Sequence, residues 1–328
     1  MTKRRTIITG GAGFIGSHTC KVLAENGIEP IVYDNLSTGH RDCVRWGALV
    51  KGDILDTDHL AKTLKEVRAD AVIHFAASAY VGESVTDPAK YYRNNVVGSL
   101  SVLEACRQTR TRNFVFSSSC ATYGAPERLP IRESEPQRPI NPYGHSKLMV
   151  EQILADYAAA YEIRYVALRY FNASGADPDG ELGERHDPET HLIPRALLSA
   201  SGALPFLSVF GDDYDTRDGT CLRDYIHVMD LARGHLLAVK YLWDGGNNLA
   251  VNLGSGRATS VREILDSIAR ITAHRVPIQI KPRRPGDPPV LFADPSLARE
   301  RLGFSTDLSD IDTIVRTAAP FFGLEVCP

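Results

Sequence analysis

The sequence predicts an α/β fold: a Rossmann-type, doubly wound parallel sheet with a smaller C-terminal α+β substrate region. Three observations carry this. Short apolar runs alternate with helix-length amphipathic stretches through the first half, the pattern of β-α-β units. A glycine-rich turn, "ITGGAGFIG", separates the first run from the first helix. After about Phe171 the alternation gives way to breaks rich in Gly, Pro and Asp, "ASGADPDGELGERHDPE", "GDDYDTRDGT" and "KPRRPGDPP". The expected division is residues 1–171 for a dinucleotide and 172–328 for the substrate. The two are interleaved, with segments after 220 packing back on the first unit.

In order, Arg5–Thr9 reads as a buried strand and Phe14–Asn26 as a helix, with Gly27 as its C-terminal cap. Pro30–Asp34 and Ala48–Asp53 are the second and third strands, and Asp56–Val67 is an amphipathic helix. Ala71–Ala77 is the fourth strand, Ala89–Thr109 a long helix, Asn113–Ser119 the fifth strand. A helix opens at Tyr143, just after Pro142, a residue that suits a first helical turn. Arg164–Tyr170 is the next strand. Later helices are read at "IPRALLSAS", "VMDLARGHLLAVKYLW" and "VREILDSIARIT".

The chain has 328 residues, 43% of them apolar and 23% charged, and a net charge of −3. That balance argues against nucleic acid, which calls for a basic face. No apolar run is long enough to cross a bilayer, and the basic N-terminus is followed by too short an apolar stretch for a signal peptide. A cytoplasmic protein without membrane partners is expected. Six scattered cysteines form no C-x-x-C pair. "RHDPETH" (Arg185–His191) fits no common metal motif, so no metal is expected.

Gly11, Gly13 and Gly16 fit G-x-G-x-x-G, and Gly10, Gly13 and Gly16 equally fit G-x-x-G-x-x-G. Between a strand and a helix, such a loop lets a pyrophosphate approach backbone N–H groups at the positive end of the helix. Asp34 ends the second strand about 20 residues on, where a carboxylate accepts ribose hydroxyls and repels a 2′-phosphate. NAD is therefore expected rather than NADP, although His40 and Arg41 are nearby cations that work the other way. Asp53 falls just after the third strand, where adenine is expected.

Tyr143 and Lys147 are four residues apart and share a helix face. A free phenol has a pKa near 10, and acting as a base near neutrality needs a fall of roughly 3, worth about 4 kcal/mol. A cation about 4 Å away, at an effective dielectric near 20, supplies about that much; Lys147 can be one such cation, and an oxidised nicotinamide ring would be a second. The pair is thus expected to be an acid/base device for hydride transfer.

"TGGAGFIGSH", "YDNLSTGH", "GDI", "HFAA", "VGESV", "YYRNNVVGSL", "FSSSCATYG", "NPYGHSKLMVEQIL", "LRYFNASGA", "VFGDDYDTRDGTCLRDYIHVMDLA" and "NLGSG" run nearly the length of the chain. Together they resemble the UDP-glucose 4-epimerase family of extended short-chain dehydrogenase/reductases. The resemblance implies NAD as cofactor and interconversion of UDP-glucose and UDP-galactose through a 4-keto sugar. It makes Tyr143 the base, Lys147 its partner on the nicotinamide ribose, and Ser119 the hydroxyl on the sugar O4. It places Gly10, Gly13, Phe14, Ile15 and Gly16 on the pyrophosphate, Asp34 and Asn35 on the adenosine ribose, and Asp53 and Ile54 on adenine. Phe75, Ala76, Ala77, Ala79, Asn94, Ser117 and Phe171 complete the cofactor lining. Asn172, His191, Leu192, Ser208 to Phe210, Arg223 and Arg284 to Asp287 form the UDP-sugar site, the arginines as forked donors for a diphosphate.

Two departures stand out. Ala79 replaces a lysine that many relatives place near the cofactor, so NAD is expected to be held less tightly. Leu291 replaces a tyrosine that some carry beside the sugar, leaving room for an N-acetyl group. A 4-epimerase of UDP-N-acetylglucosamine or of a UDP-pentose is the close alternative. A sugar dehydratase lacks its acid pair here, since Ser119, Cys120 and Ala121 offer no carboxylate. A non-catalytic NAD-binding module would not need both Tyr143 and Lys147. Homodimers are expected, built from the helices at Ala89–Thr109 and Tyr143–Ala160.

Overall fold

The computed structural model describes residues 3–284 and 287–327. Its centre is a seven-stranded sheet. The chain enters as β1 (Arg5–Thr9), α1 (Phe14–Glu25), β2 (Glu29–Asp34), β3 (Ala48–Lys51), α2 (Thr57–Val67) and β4 (Ala71–His74). Two short helices follow, α3 (Val81–Thr86) and α4 (Pro88–Tyr91), then α5 (Gly98–Thr109), β5 (Asn113–Ser119), α6 (Pro142–Tyr161) and β6 (Arg164–Tyr170). β1, β4 and β5 are buried along nearly their whole length and β6 through its centre, as expected of strands covered on both faces. α2 starts on Asp56, whose carboxylate accepts from His59 N–H, and buries Leu60, Thr63 and Leu64 along one stripe.

The second half supplies β7 (Asn172–Ser174), α7 (Leu192–Ala200), β8 (Leu207–Phe210), β9 (Leu222–Arg223), β10 (Tyr225–His227) and α8 (Val228–Trp243). β11 (Leu249–Leu253), β12 (Thr259–Ser260), α9 (Val261–Thr272), β13 (Ile278–Lys281), β14 (Val290–Leu291), α10 (Ser296–Leu302) and α11 (Ile311–Ala318) complete it. β11 lies beside β6, so the sheet order is β11-β6-β5-β4-β1-β2-β3, all parallel. The order reverses between β1 and β4, the place where open sheets of this kind bind ligands. α1, α8 and α10 cover one face of the sheet and α2, α5 and α6 the other. A separate core forms where α7, α9 and α11 pack with β8.

Two elements differ from expectation. The fourth strand stops at His74 because Phe75 and Ala76 both donate backbone N–H to Thr9 C=O, which peels the chain around Gly10. The long helix from 89 to 109 is broken by a π-helical turn over Tyr92–Val97. This wider turn brings the buried Asn95 side chain between two segments. Asn95 accepts from Ser78 N–H at 2.7 Å and donates to Ser78 C=O and to Ser146 Oγ on α6. π-turns of this sort mark functional regions, and this one ties the loop after β4 to the helix that carries Tyr143.

Candidate active site

At the reversal point, Gly10 has φ +73°, and a Cβ there would stand 2.6 Å from Ala76 N. A Cβ on Gly16 would lie 2.3 Å from Gly10 O. Gly13 precedes α1 with no side-chain cap, so Phe14 and Ile15 present backbone N–H groups at a bare helix start. This cradle fits a dinucleotide pyrophosphate. Asp34, buried at the end of β2, accepts from Ala12 N–H at 3.0 Å and Leu36 N–H at 2.8 Å, which fixes the carboxylate beside the glycine turn. Farther along the same edge Asn35 donates to Asp53 at 3.0 Å, and Ile54 is packed so closely that a Cβ on Gly98 would meet it at 2.5 Å.

β4 and β5 end side by side next to this cradle. His74 shares a 2.6 Å hydrogen bond with Thr9 and a 2.9 Å one with Ser99; burial, then the Lys147 charge, lowers its pKa to about 3 and keeps it neutral. Phe75 stacks obliquely on His235 at 4.5 Å. Ala76 and Ala77 are half-buried, whereas Ala79 is exposed, and Asn94 donates to Ser78 Oγ and Asn95 Oδ1.

The last three residues of β5, Ser117, Ser118 and Ser119, are buried. α6 begins on Asn141, which accepts from Gly144 N–H at 2.8 Å, with Pro142 at its first position. That start fixes Tyr143 and Lys147 on the inward face, both buried. Lys147 Nζ donates to Ser117 C=O at 2.7 Å and sits 5.8 Å from the centre of the Tyr143 ring. Ser117 Oγ is hydrogen-bonded to the Tyr170 hydroxyl.

The electrostatics correct one expectation. Lys147 does not make the phenol acidic by itself. Burial raises Tyr143 to about 12, and a hydrogen bond with Ser119 offsets only part of that. Burial also lowers Lys147 to about 7, against the pull of Glu151. Both groups lack water, so both neutral forms are favoured, and a half-protonated ammonium near neutrality is a weak source of positive field. In cofactor-free protein, ultraviolet titration of wild type against Tyr143→Phe is expected to show Tyr143 ionising only as the pH approaches about 12. Ionisation of that residue below pH 10, its ordinary value, would contradict this.

The sequence reading missed what surrounds the pair. Glu151, one turn beyond Lys147, forks onto Arg169 of β6 with a closest distance of 2.6 Å, and both side chains are buried. Ser118 Oγ and Gln137 also donate to Glu151, and Arg169 donates to Tyr123 at 2.9 Å. The signal was available: Tyr143, Lys147 and Glu151 repeat every four residues, which continues the active face of α6.

On the other side of the sheet edge, Asn172 turns toward Asp224 and donates its backbone and side-chain N–H to that residue's C=O. Arg223 donates to Asp287 and, at 2.8 Å, to Leu222 C=O. Arg284 stacks over Phe210 at 4.1 Å, at the end of the strand that carries Ser208. The structure thus gathers Phe210, Arg223, Arg284 and Asp287; Pro285 and Gly286 lie outside the described residues. Leu291 packs with Phe171, Tyr123, Ile131 and Ala293 against Cys120, next to Ser119. Leu192 is half-buried at the start of α7, and His191 caps that helix. His191 contacts Glu184 at 3.0 Å and Glu189 at 2.9 Å, and His186 approaches the same two carboxylates. Burial alone lowers both imidazoles, but these carboxylates outweigh it and lift His186 to about 9 and His191 to about 10.

Residues 6–254 match the family model described as NAD dependent epimerase/dehydratase family. The chain belongs to this family. A UDP-glucose 4-epimerase of Rhizobium meliloti (strain 1021) is 50% identical over 318 residues, 97% of each chain. The crystal structure of UDP-glucose 4-epimerase from Brucella ovis in complex with NAD superposes with a TM-score of 0.98 at 67% identity, covering 99% of this chain and 100% of that one. The UDP-Glc/GlcNAc 4-epimerase from Campylobacter jejuni is 39% identical, with a TM-score of 0.86 over 98% of this chain and 99% of that one. The seven-stranded parallel sheet is the Rossmann-like architecture of these epimerase structures, with the glycine turn at its β1–β4 reversal point.

Proposed function

We propose that this protein is an NAD-dependent UDP-glucose 4-epimerase that interconverts UDP-glucose and UDP-galactose. The observation that carries the reading is the buried group of Ser119, Tyr143 and Lys147, set beside a glycine cradle in a chain 67% identical to an NAD-bound epimerase. Gly10, Gly13, Phe14, Ile15 and Gly16 hold the pyrophosphate, Asp34 and Asn35 the adenosine ribose, and Asp53 and Ile54 the adenine. Phe75 to Ala79, Asn94, Ser117 and Phe171 line the rest. When bound, NAD supplies a positive ring charge and the acceptor that takes the C4 hydride and returns it to the opposite face.

Tyr143 moves the C4 hydroxyl proton at its Oη, and the Ser119 hydroxyl, whose influence lowers the pKa of that phenol, links it to the sugar. Lys147 is pinned through one N–H to Ser117 C=O, which leaves two donors for the phenol and the nicotinamide ribose. Arg223 and Arg284 hold the diphosphate with Asn172, His191, Leu192, Ser208, Phe210 and Asp287 around it, while the 4-keto sugar turns over against Leu291 and Phe171. Firm grip on the UDP and few charged contacts to the hexose are what this inversion needs. Residues 1–171 serve the cofactor and 172–328 the UDP-sugar, with α8 and β11 returning to the sheet.

Arg223→Leu is expected to raise KM for the UDP-sugar about 10–100-fold with little change in kcat, the worth of one or two charge-assisted hydrogen bonds. Steady-state kinetics check it.

We place the protein in the cytoplasm, a reading favoured by six unpaired cysteines, and as a homodimer. Val97 and Leu100 near α5 and Met149 on α6 are exposed apolar side chains that favour that pairing. The deciding experiment gives purified protein UDP-galactose or UDP-N-acetylgalactosamine separately, without added NAD, and follows C4 inversion. UDP-galactose turnover is expected. If neither sugar reacts while a UDP-pentose does, the reading fails; turnover confined to the N-acetyl sugar would make Leu291 the specificity residue of the alternative substrate.

A further inference from the structure

Glu184, His186, Glu189 and His191 lie on the loop between β7 and α7, and the chemistry above does not use them as a group. The loop spans the two halves of the site. His186 stands edge-on to Phe14 of the glycine turn at 6.2 Å and to Tyr80 at 6.1 Å, while His191 opens α7. Both imidazoles turn Nδ1 toward the same two carboxylates. The four cross distances are 3.2 and 3.5 Å from His186 and 3.0 and 2.9 Å from His191. One ligand atom from each residue lies within 4.8 Å of every other.

Two features set this group apart from a pair of ordinary salt bridges. His186 Nδ1 is buried yet makes no hydrogen bond, because the nearby carboxylate oxygens lie off its N–H line. The spacing also suits a metal. Zinc bonds to imidazole nitrogen and carboxylate oxygen at about 2.0–2.2 Å, so the edges of a tetrahedron of such ligands are about 3.3–3.6 Å. The distances that meet at Glu184 Oε1 and Glu189 Oε1 are 3.2, 3.0 and 2.9 Å, a little shorter than such edges, so the ligand atoms move slightly apart around an ion. Glu184 is buried and Glu189 half-buried, and a dication would replace the two imidazolium protons in balancing their charge, releasing those protons as it binds. The neighbouring Asp177, Asp179 and Glu181 are different: Lys21 Nζ already occupies them at 2.8, 2.6 and 2.8 Å.

The geometry points to a divalent transition-metal site, suited to zinc, formed by Glu184, His186, Glu189 and His191. The set reads E-x-H-x-x-E-x-H, and its first ligand falls one residue before the stretch the sequence singled out. An ion held there cross-links the last eight residues of the loop and braces them between Phe14 and α7.

Cobalt(II) titrated into the full-length protein tests this, since its visible spectrum reports geometry and ligand type. The expected result is one equivalent bound with an intense tetrahedral absorption and no thiolate charge-transfer band. His186→Ala and, separately, Glu184→Gln are each expected to weaken binding at least 10-fold while circular dichroism stays native. A weak octahedral spectrum, a thiolate band from a cysteine, or binding unchanged in His186→Ala would overturn the assignment.

Discussion

Replacing Tyr143 with phenylalanine is expected to cut turnover of UDP-galactose by about 10²–10⁴-fold, the usual worth of a positioned acid/base, with the fold intact. The phenol ring fills a buried slot edge-on to Tyr91 at 6.5 Å, and phenylalanine keeps that contact. What disappears is the hydroxyl that exchanges a proton with the sugar and bonds Ser119. Because burial favours the neutral phenol, removing the hydroxyl also removes an oxygen that was costly to ionise. Binding of NAD and of UDP is therefore expected to stay within a few-fold of wild type. Stopped assays with product analysis separate the two effects; turnover within ten-fold of wild type would remove Tyr143 from the chemistry.

The second large effect is on stability. Arg169→Leu is expected to destabilise the protein by about 3–5 kcal/mol, because it strands a buried carboxylate. Glu151 is buried on α6, and Arg169 supplies most of its hydrogen bonds. With Arg169 gone, Ser118 and Gln137 are the donors that remain among the described residues. The melting midpoint should fall by roughly 4–7 °C for a chain of this size. The double variant Glu151→Leu with Arg169→Leu should recover much of the loss, since an apolar pair of similar volume often matches a buried ion pair. A single variant that costs less than about 1 kcal/mol would instead describe a solvated, surface-like pair. The same ion pair matters to the chemistry. It balances Glu151 one turn from Lys147, so the carboxylate does not capture the ammonium, which stays bonded to Ser117.

Much of the fold was legible because its signals are local. β1, the glycine turn, α1 and β2 follow from apolar runs, positive-φ glycine and a helix start, each confined to a few neighbouring residues. Tyr143 and Lys147 were legible for the same reason: four residues of one helix fix their relation. What escaped depends on partners far along the chain. Leu249–Leu253 is a five-residue strand after an irregular region, and only its pairing with β6 makes it the seventh strand. Lys21 reads as a surface residue of α1, yet it is buried among Asp177, Asp179 and Glu181 more than 150 residues away. The π-turn at Tyr92–Val97 has no local pattern, because Asn95 gains its partners only once α6 is in place. The direction of the Tyr143 and Lys147 shifts was hidden for a related reason. Spacing along a helix gives the distance between two charges, but burial decides whether either is charged at all.

The claim that the C4 hydrogen leaves and returns as a hydride within one active site is open to an isotope test. UDP-galactose carrying deuterium at C4 is incubated with the protein in ordinary water, and the product is read by proton NMR. UDP-glucose with deuterium still at C4 is the expected result. Product with hydrogen from water at C4 would mean proton exchange in place of hydride return, and would contradict the account.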